Sequence, residues 1–324
     1  MNSLASIWAE ARRRPFSLAL WGAAAALVLS VFVTGGYLIT VLQFAFIYAI
    51  FVTGLNVFMG YAGQVSFGQN AFAAISGYTS AVLTTAYGFA PLSASIIGIG
   101  GALACALAIG YPTLRLRGHY LAMATLAIGL IAYEVAVQWQ SVTQGYMGIS
   151  GIPPLGIGRW EVTSDRAILA LLVLLTILAV AAAAGIRRSR LGRALVAVAG
   201  SEDAARALGV DVARYKLIAF MISAAYAALA GSLFVHAVGF VSPEVFGLHM
   251  VVLAFTMLYV GGIGTVAGPA LGAIIVTLLP EAFRAFKDYQ DLAYGAALIA
   301  ILIYAPRGLS SLADFVSAKR KAAP

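Results

Sequence analysis

Hydrophobic runs long enough to cross a bilayer, about twenty residues each, recur along almost the whole chain. They fall at 17–34, 37–59, 65–87, 90–110, 119–137, 167–186, 215–238, 248–264, 266–283 and 290–305. The pattern predicts an all-α polytopic integral membrane protein with about ten hydrophobic segments. Several runs are short or carry glycines, and these admit broken or re-entrant helices. The run at 167–186 reads as a plain lipid-compatible helix. In 215–238, by contrast, Ser223, Ala227 and Gly231 repeat every four residues, as do Ala224, Ala228 and Ser232. Small residues at that spacing let a second helix come close, which marks a central packing helix.

Two stretches depart from the apolar pattern. Residues 54–78 carry Asn56, Gln64, Ser66, Gln69 and Asn70 among glycines. Lipid offers these side chains no partner, so they face protein or a water-filled path. Gly60, Gly63 and Gly68 allow a sharp turn and close backbone approach. On one reading the stretch is a wall of a substrate route, with Thr125 and Thr256 as further candidates for its lining. On the other, each polar residue is hydrogen-bonding glue at a tight helix crossing. Residues 258–273 break a second run with glycines and Pro269. Gly262, Gly264 and Ala267 there match a dinucleotide fingerprint in form only, because no βαβ context surrounds them. A turn between two spans explains the stretch better.

The longest polar interval, 187–216, holds seven of the 20 Lys and Arg residues. Ser201 is a good helix N-cap, and Glu202 and Asp203 follow where the helix dipole favours carboxylates. Glu202 and Arg206 stand four apart with the acid first, the better order for a helical ion pair. Gly209 is placed to end the helix in a left-handed conformation. The sequence thus writes a capped helix of about two turns, with Ala204, Ala205, Ala207 and Leu208 as a small apolar surface. It reads equally as a grip for something outside the membrane or as a solvated loop.

Composition agrees with the membrane reading: 62% of residues are hydrophobic and 10% are charged. A soluble domain would carry more surface charge. The net charge of +8 does not point to nucleic acid, because the basic residues cluster between apolar runs. With both termini in the cytoplasm, ten crossings put Arg12, Arg13, Arg14, Arg115, Arg117, the seven of the central interval, Arg307, Lys319, Arg320 and Lys321 inside. Arg159, Arg166, Arg284 and Lys287 fall outside, and this asymmetry favours that orientation. Residues 1–34 read as an uncleaved first span, since no small-x-small site follows the apolar run. The loop at 138–166 then faces out, and its glycines and prolines describe a folded surface loop rather than a linker.

Catalytic and metal chemistry find no footing. Cys105 is the single cysteine, and His119, His236 and His249 are too scattered to chelate one metal. Glu134 falls near the outer boundary of its span, where an interfacial role suits it better than proton carriage. No Walker A loop, nucleophile elbow or zinc-protease motif occurs. Buried acids and bases are nearly absent, which weighs against a carrier driven through intramembrane charges. The chain looks like a pathway whose energy source lies elsewhere.

Five stretches in order carry a specific resemblance: GLNVFMGYAGQVSFGQNAFAAISGYTSAVL, LRLRGHYLAMATLAIG, GYMGISGIPPL, GRALVAVAGSEDAARALGVDVARYKLIAFMISAAYAALAG and LYVGGIGTVAGPALGA. Together they resemble the membrane permeases of bacterial branched-chain amino-acid ABC importers, in particular the LivM-like subunit, over about 37–310. The resemblance implies one permease domain, 1–324, with a membrane core at 17–310 in the bacterial inner membrane. It implies a second, LivH-like permease, two cytoplasmic ATPase subunits and a periplasmic binding protein as partners. ATP and Mg would bind the ATPases, and this chain would hold no cofactor.

In such permeases the loop equivalent to 187–214 carries the coupling helix that docks in a cleft of the ATPase. The positions that correspond are Gly192, Arg193, Ser201, Glu202, Asp203, Ala204, Ala205, Arg206 and Gly209. Relatives often have an Arg-Glu-Asn type of stretch where this chain has Ala199, Gly200 and Ser201, which leaves the choice of ATPase pair open. The implied substrate is Leu, Ile, Val or a related amino acid. Urea, short amides and aromatic or dicarboxylic acids are alternatives within the family. A self-sufficient secondary carrier is the rival from another class, and it predicts transport by this chain alone without ATP.

Overall fold

The computed structural model describes residues 36–284 except 158 and 159, with isolated positions at 292, 294–296, 298, 299, 303 and 308. The expected span at 17–34, most of that at 290–305, and both termini lie outside the described residues. Helix α1 (Tyr37–Asn56) runs on through a π turn at Val57–Tyr61. Then come α2 (Gln69–Thr85), α3 (Pro91–Thr113) and α4 (His119–Gln138). A loop follows with the short α5 (Gln140–Thr143) and strands β1 (Ile149–Ser150), β2 (Gly156–Ile157) and β3 (Trp160–Glu161). Next are α6 (Asp165–Arg188), α7 (Arg190–Gly200), α8 (Glu202–Ala207) and α9 (Val212–Val238). Strand β4 (Phe240–Val241), α10 (Leu248–Gly261) and α11 (Gly268–Ala282) follow.

Among the described residues, six helical stretches are long and apolar enough to cross a membrane: Tyr37–Tyr61, Pro91–Thr113, His119–Gln138, Asp165–Arg188, Val212–Val238 and Pro243–Gly261. The run expected at 65–87 is shorter than the pattern suggested. Residues 62–68 stay out of helix, with Gly63 at φ +67°, and α2 has 17 residues. The glycine-rich start of that run therefore makes a turn, as its composition allowed.

Helix α9 packs against α1, α2 and α3. Its small residues explain why: Ser223, Ala224, Ala227, Ala228, Gly231 and Ser232 are all buried. A methyl group on Gly231 would land on the Ala73 carbonyl of α2, and one on Gly54 of α1 would land on Tyr226 Cβ. Phe220 closes the same crossing, taking Phe58 and Phe72 edge-on at 5.3 and 5.4 Å. Side-chain hydrogen bonds then tie α6 to this centre. Tyr226 Oη donates to Ala179 O at 2.8 Å and Thr176 Oγ1 to Phe46 O at 3.2 Å. The central role expected for this helix holds.

Loops sort to two ends. At one end, β1 pairs antiparallel with β4, setting Ile149 opposite Val241. His236 bonds there to Ser80 Oγ and to Pro153 O, each at 2.7 Å, so it braces the 138–166 loop on the bundle. That loop is folded, as its composition suggested. The other end gathers the 62–68 loop, the turn before α4, the α7–α8 pair and the turn before α11.

The Gly231 contact generates a direct test. Gly231→Val should destabilise the protein by about 1–3 kcal/mol, the usual cost of overpacking. Gly100→Val, at a site with open space around it, should stay within about 0.5 kcal/mol. Unfolding midpoints in detergent check both, and equal effects would refute the close crossing.

Candidate functional site

The polar interval folds into two helices rather than one. Ser189 caps α7, its Oγ accepting from Gly192 N at 3.2 Å, and Gly192 lies so close to the Ile186 and Arg187 carbonyls that a Cβ would overlap them. Leu195 and Val198 turn inward. Ser201 then caps α8, accepting from Ala204 N at 3.2 Å. At the far end, Val210 N donates to Ala205 O and Gly209 N to Arg206 O, both at 3.0 Å, with Gly209 at φ +83°. This crossed pair satisfies the last carbonyls of the helix. The capping expected at Ser201 and Gly209 is therefore present at both ends.

Two details of α8 differ from the expectation. Glu202 does not turn to Arg206; Arg206 pairs instead with Asp203 at 2.9 Å. Ala205 is buried against Val198 and Val212 rather than presented outward. The outward face is Ala204, Ala207 and Leu208, with Leu208 84% exposed. The helix is too short to expose four apolar residues and also to seat on the bundle.

Glu202 is taken by a knot that links three segments. Its Oε1 accepts from Lys216 Nζ at 2.8 Å and from Gln64 Nε2 at 3.1 Å. Arg117 approaches its other oxygen at 3.6 Å and also reaches Asp203 at 3.5 Å. Lys216 is only 2% exposed, at the start of the second turn of α9. An isolated ammonium there would be costly, and the carboxylate makes its burial tolerable. Sequence reading counted Lys216 as one loop cation among seven; its place fourteen residues after Glu202 gave no periodic signal, because a turn intervenes. Around the knot, Arg187 lies over the Tyr61 ring at 5.1 Å, and a Cβ on Gly63 would press on Ala199. The α7–α8 pair thus grips the 62–68 loop at two points, and the end of α6 holds the π turn just before it.

The expected path residues separate into distinct roles. Asn56 donates to Thr265 O at 2.7 Å and accepts from Gly264 N at 2.8 Å, holding the turn before α11. Gln64 belongs to the knot. Thr125 is fully buried; its Oγ1 accepts from Phe67 N at 3.1 Å. Thr256 is half-buried on α10, beside the groove it shares with Phe255, and bonds back to Val252 O. Ser66, Gln69 and Asn70 come together in the bundle interior, where all three are buried. The exposed Glu134 accepts from Gln138 one turn on. No group of three potential metal ligands occurs among the described residues.

Removing Glu202 strands a buried cation. Glu202→Ala should destabilise the fold by about 3 kcal/mol, near the lower end for orphaning a buried charge because Glu202 keeps some solvent. Glu202→Leu with Lys216→Met should recover most of that loss. A double-mutant cycle on unfolding midpoints measures the coupling, and additive losses would remove the pair from the account.

Residues 37–305 match the family model described as a branched-chain amino acid transport system permease component. The chain is 35% identical to the high-affinity branched-chain amino acid transport system permease protein LivM of Escherichia coli, across 81% of this chain and 67% of that one. It is 28% identical to the corresponding LivH of Salmonella typhimurium, across 81% of this chain and 90% of that one. A shorter likeness, 34% over 40% of each chain, links it to the autoinducer 2 import system permease protein LsrC of Klebsiella pneumoniae. With a family match over most of its length, the chain belongs to the permease components of branched-chain amino acid transport systems.

Proposed function

We propose that the chain is one permease of a two-permease, ATP-driven importer for branched-chain amino acids in the bacterial inner membrane. Two ATPase subunits act on it from the cytoplasm, and a binding protein delivers ligand at the periplasmic face. ATP and Mg reside on the ATPases, and this chain carries out no covalent chemistry. Likeness to both LivM and LivH supports the paired arrangement.

The observation that carries the reading is α8. It is capped at both ends, fixed from behind by Glu202, and presents only Ala204, Ala207 and Leu208 with the Asp203 and Arg206 pair at their edge. The double cap fixes the helix as a defined element rather than a loose loop. A small apolar knob rimmed by polar groups suits a cleft in a partner. ATP-driven closure of the ATPases would push α8, and its knot would carry that motion into α9 and the 62–68 loop. Ligand then crosses between the two permeases by alternating access.

Orientation follows from charge. Arg115, Arg117, Arg187, Arg188, Arg190, Arg193, Arg206, Arg214 and Lys216 gather at the α7–α8 end, whereas Arg166 and Arg284 stand at the other. This distribution supports a cytoplasmic α7–α8 end, with both termini on the same side and the ten-span count.

Docking is tested with Leu208→Glu in the full chain, expressed with its ATPase subunits. The ATPases should no longer co-purify while the unfolding midpoint stays within about 0.5 kcal/mol of the parent. Retained ATPases would remove α8 from the interface, and solute movement by the chain alone without ATP would favour a self-sufficient carrier. Orientation is tested in a Cys105→Ser background. A thiol reagent that cannot cross the membrane should label Met147→Cys from outside intact cells and Asp203→Cys only after lysis.

A further inference from the structure

Gln69 is 3% exposed, yet neither its Oε1 nor its Nε2 has a partner among the described residues. Next to it, Asn70 spends its Nδ2 on Phe246 O at 2.7 Å, and its Oδ1 is likewise unpartnered. Ser66 Oγ accepts a long 3.5 Å contact from Gly68 N. Buried amide atoms left unpaired are rare, and each calls for a cause. Buried hydroxyls elsewhere in the bundle are unpartnered as well, but Gln69 leaves both a donor and an acceptor unpaired on one side chain.

The geometry around Gln69 supplies a cause. Ser66, Gln69 and Asn70 line a void of about 10 Å³ whose other walls include Phe51, Leu55 and Ala254. That is room for one water at most. On one side the void is closed by Phe67 and Phe255, whose rings are stacked 4.4 Å apart and 15° from parallel. Both rings also line a groove of about 440 Å³ between α4 and α10, with Leu126, Val252 and Tyr259 in its walls. The stacked pair, with Val251, therefore separates an apolar groove from the polar cluster.

We propose that Ser66, Gln69 and Asn70 form a transit site for a small zwitterion with an aliphatic side chain, and that Phe67 and Phe255 are its gate. Gln69 Nε2 would donate to the carboxylate and Gln69 Oε1 would accept from the ammonium, while Asn70, whose Oδ1 lies against Gly129 of α4, closes the side of the site. Leu55 and Phe51 offer the side chain an apolar wall. The site bears no net charge, which suits a zwitterion and disfavours a dicarboxylate. Parting of the rings joins the void to the groove and gives the ligand the space it needs. Phe67 lies in the 62–68 loop gripped by α7–α8, so the same motion that moves α8 moves the gate. The inference rests on the importer reading above and names the site that reading leaves unassigned.

The test uses the complete importer in vesicles, with radiolabelled leucine as probe and ATP supplied or withheld. Gln69→Leu should lower ATP-driven uptake at least about tenfold, the loss of one hydrogen bond to a charged group. ATP hydrolysis stimulated by the loaded binding protein should persist, which separates a lost site from a lost assembly. Phe255→Ala should let leucine cross without ATP, above the parent's background, and this arm decides the matter if Gln69→Leu fails to assemble. Wild-type uptake with both variants indistinguishable from it would overturn the site and leave the importer reading standing. A wild-type importer that moves no leucine, isoleucine or valine would instead overturn the reading, and the site with it.

Discussion

Inside a hydrocarbon layer no water answers a polar group, and this constraint shapes nearly every contact in the bundle. The helices meet it internally, with Thr53, Thr84 and Thr113 donating to carbonyls one turn back. The irregular segments cannot, so they borrow partners from elsewhere. Asn56 satisfies two backbone groups of the turn before α11 at once, which fastens a non-helical turn to the end of the bundle. Close approach makes such borrowing feasible. Glycine on α9 against a carbonyl of α2, and glycine on α10 against the start of α11, bring backbone within reach of side chains that would otherwise be too short.

The same constraint turns the 62–68 loop into a mechanical element. On one side it is held by Gly63 against Ala199 and by Gln64 on Glu202, with Tyr61 just before it lying under Arg187. On the other side Phe67 N donates to Thr125, and Gly68 is pressed on the Thr125 carbonyl. A segment pinned by a few specific contacts on two sides moves between discrete arrangements rather than drifting. That is the property a coupling device needs, since packed contacts are bistable where a solvated loop is merely soft. Glu202 matters here less for stability than for connection: one carboxylate joins the helix pair, the base of α9 and this loop.

Much of this architecture was legible in the residue pattern. The runs of apolar residues located every fully described long helix, and the four-residue rows of small residues singled out α9. Ser201 and Gly209 announced α8 because caps are local, written within a few positions of the helix they end. Partners distant in sequence were not legible. The order of charges on one helix suggested Glu202 with Arg206, but a buried Lys216 desolvated by the fold out-competes an exposed neighbour. Ala205 was misplaced for a related reason: on a six-residue helix the inward face is set by what the bundle offers. Composition marked 54–78 as polar, and only the fold divides it into Asn56 as a fastener, Gln64 as a link and Gln69 as an open valence. Phe67 and Phe255 gave no signal, since two phenylalanines in apolar runs look like any others until their rings meet.

Where charge is absent is as informative as where it is present. The Glu202–Lys216 pair sits at the foot of α9, and the polar cluster behind the aromatic stack holds only amides and a hydroxyl. A transit site must bind well enough to admit its ligand and loosely enough to release it. A buried charge would bind one end of a zwitterion tightly and repel the other, and both effects slow release. Neutral amides offer donors and acceptors of modest strength to both ends. Such a site would separate a zwitterion from a dicarboxylate but not one aliphatic side chain from another, so on the proposed reading the finer selectivity is imposed before the ligand arrives. On the proposed reading such a chain is a conduit of weak contacts, moved through the Glu202–Lys216 pair, which lies outside the polar cluster.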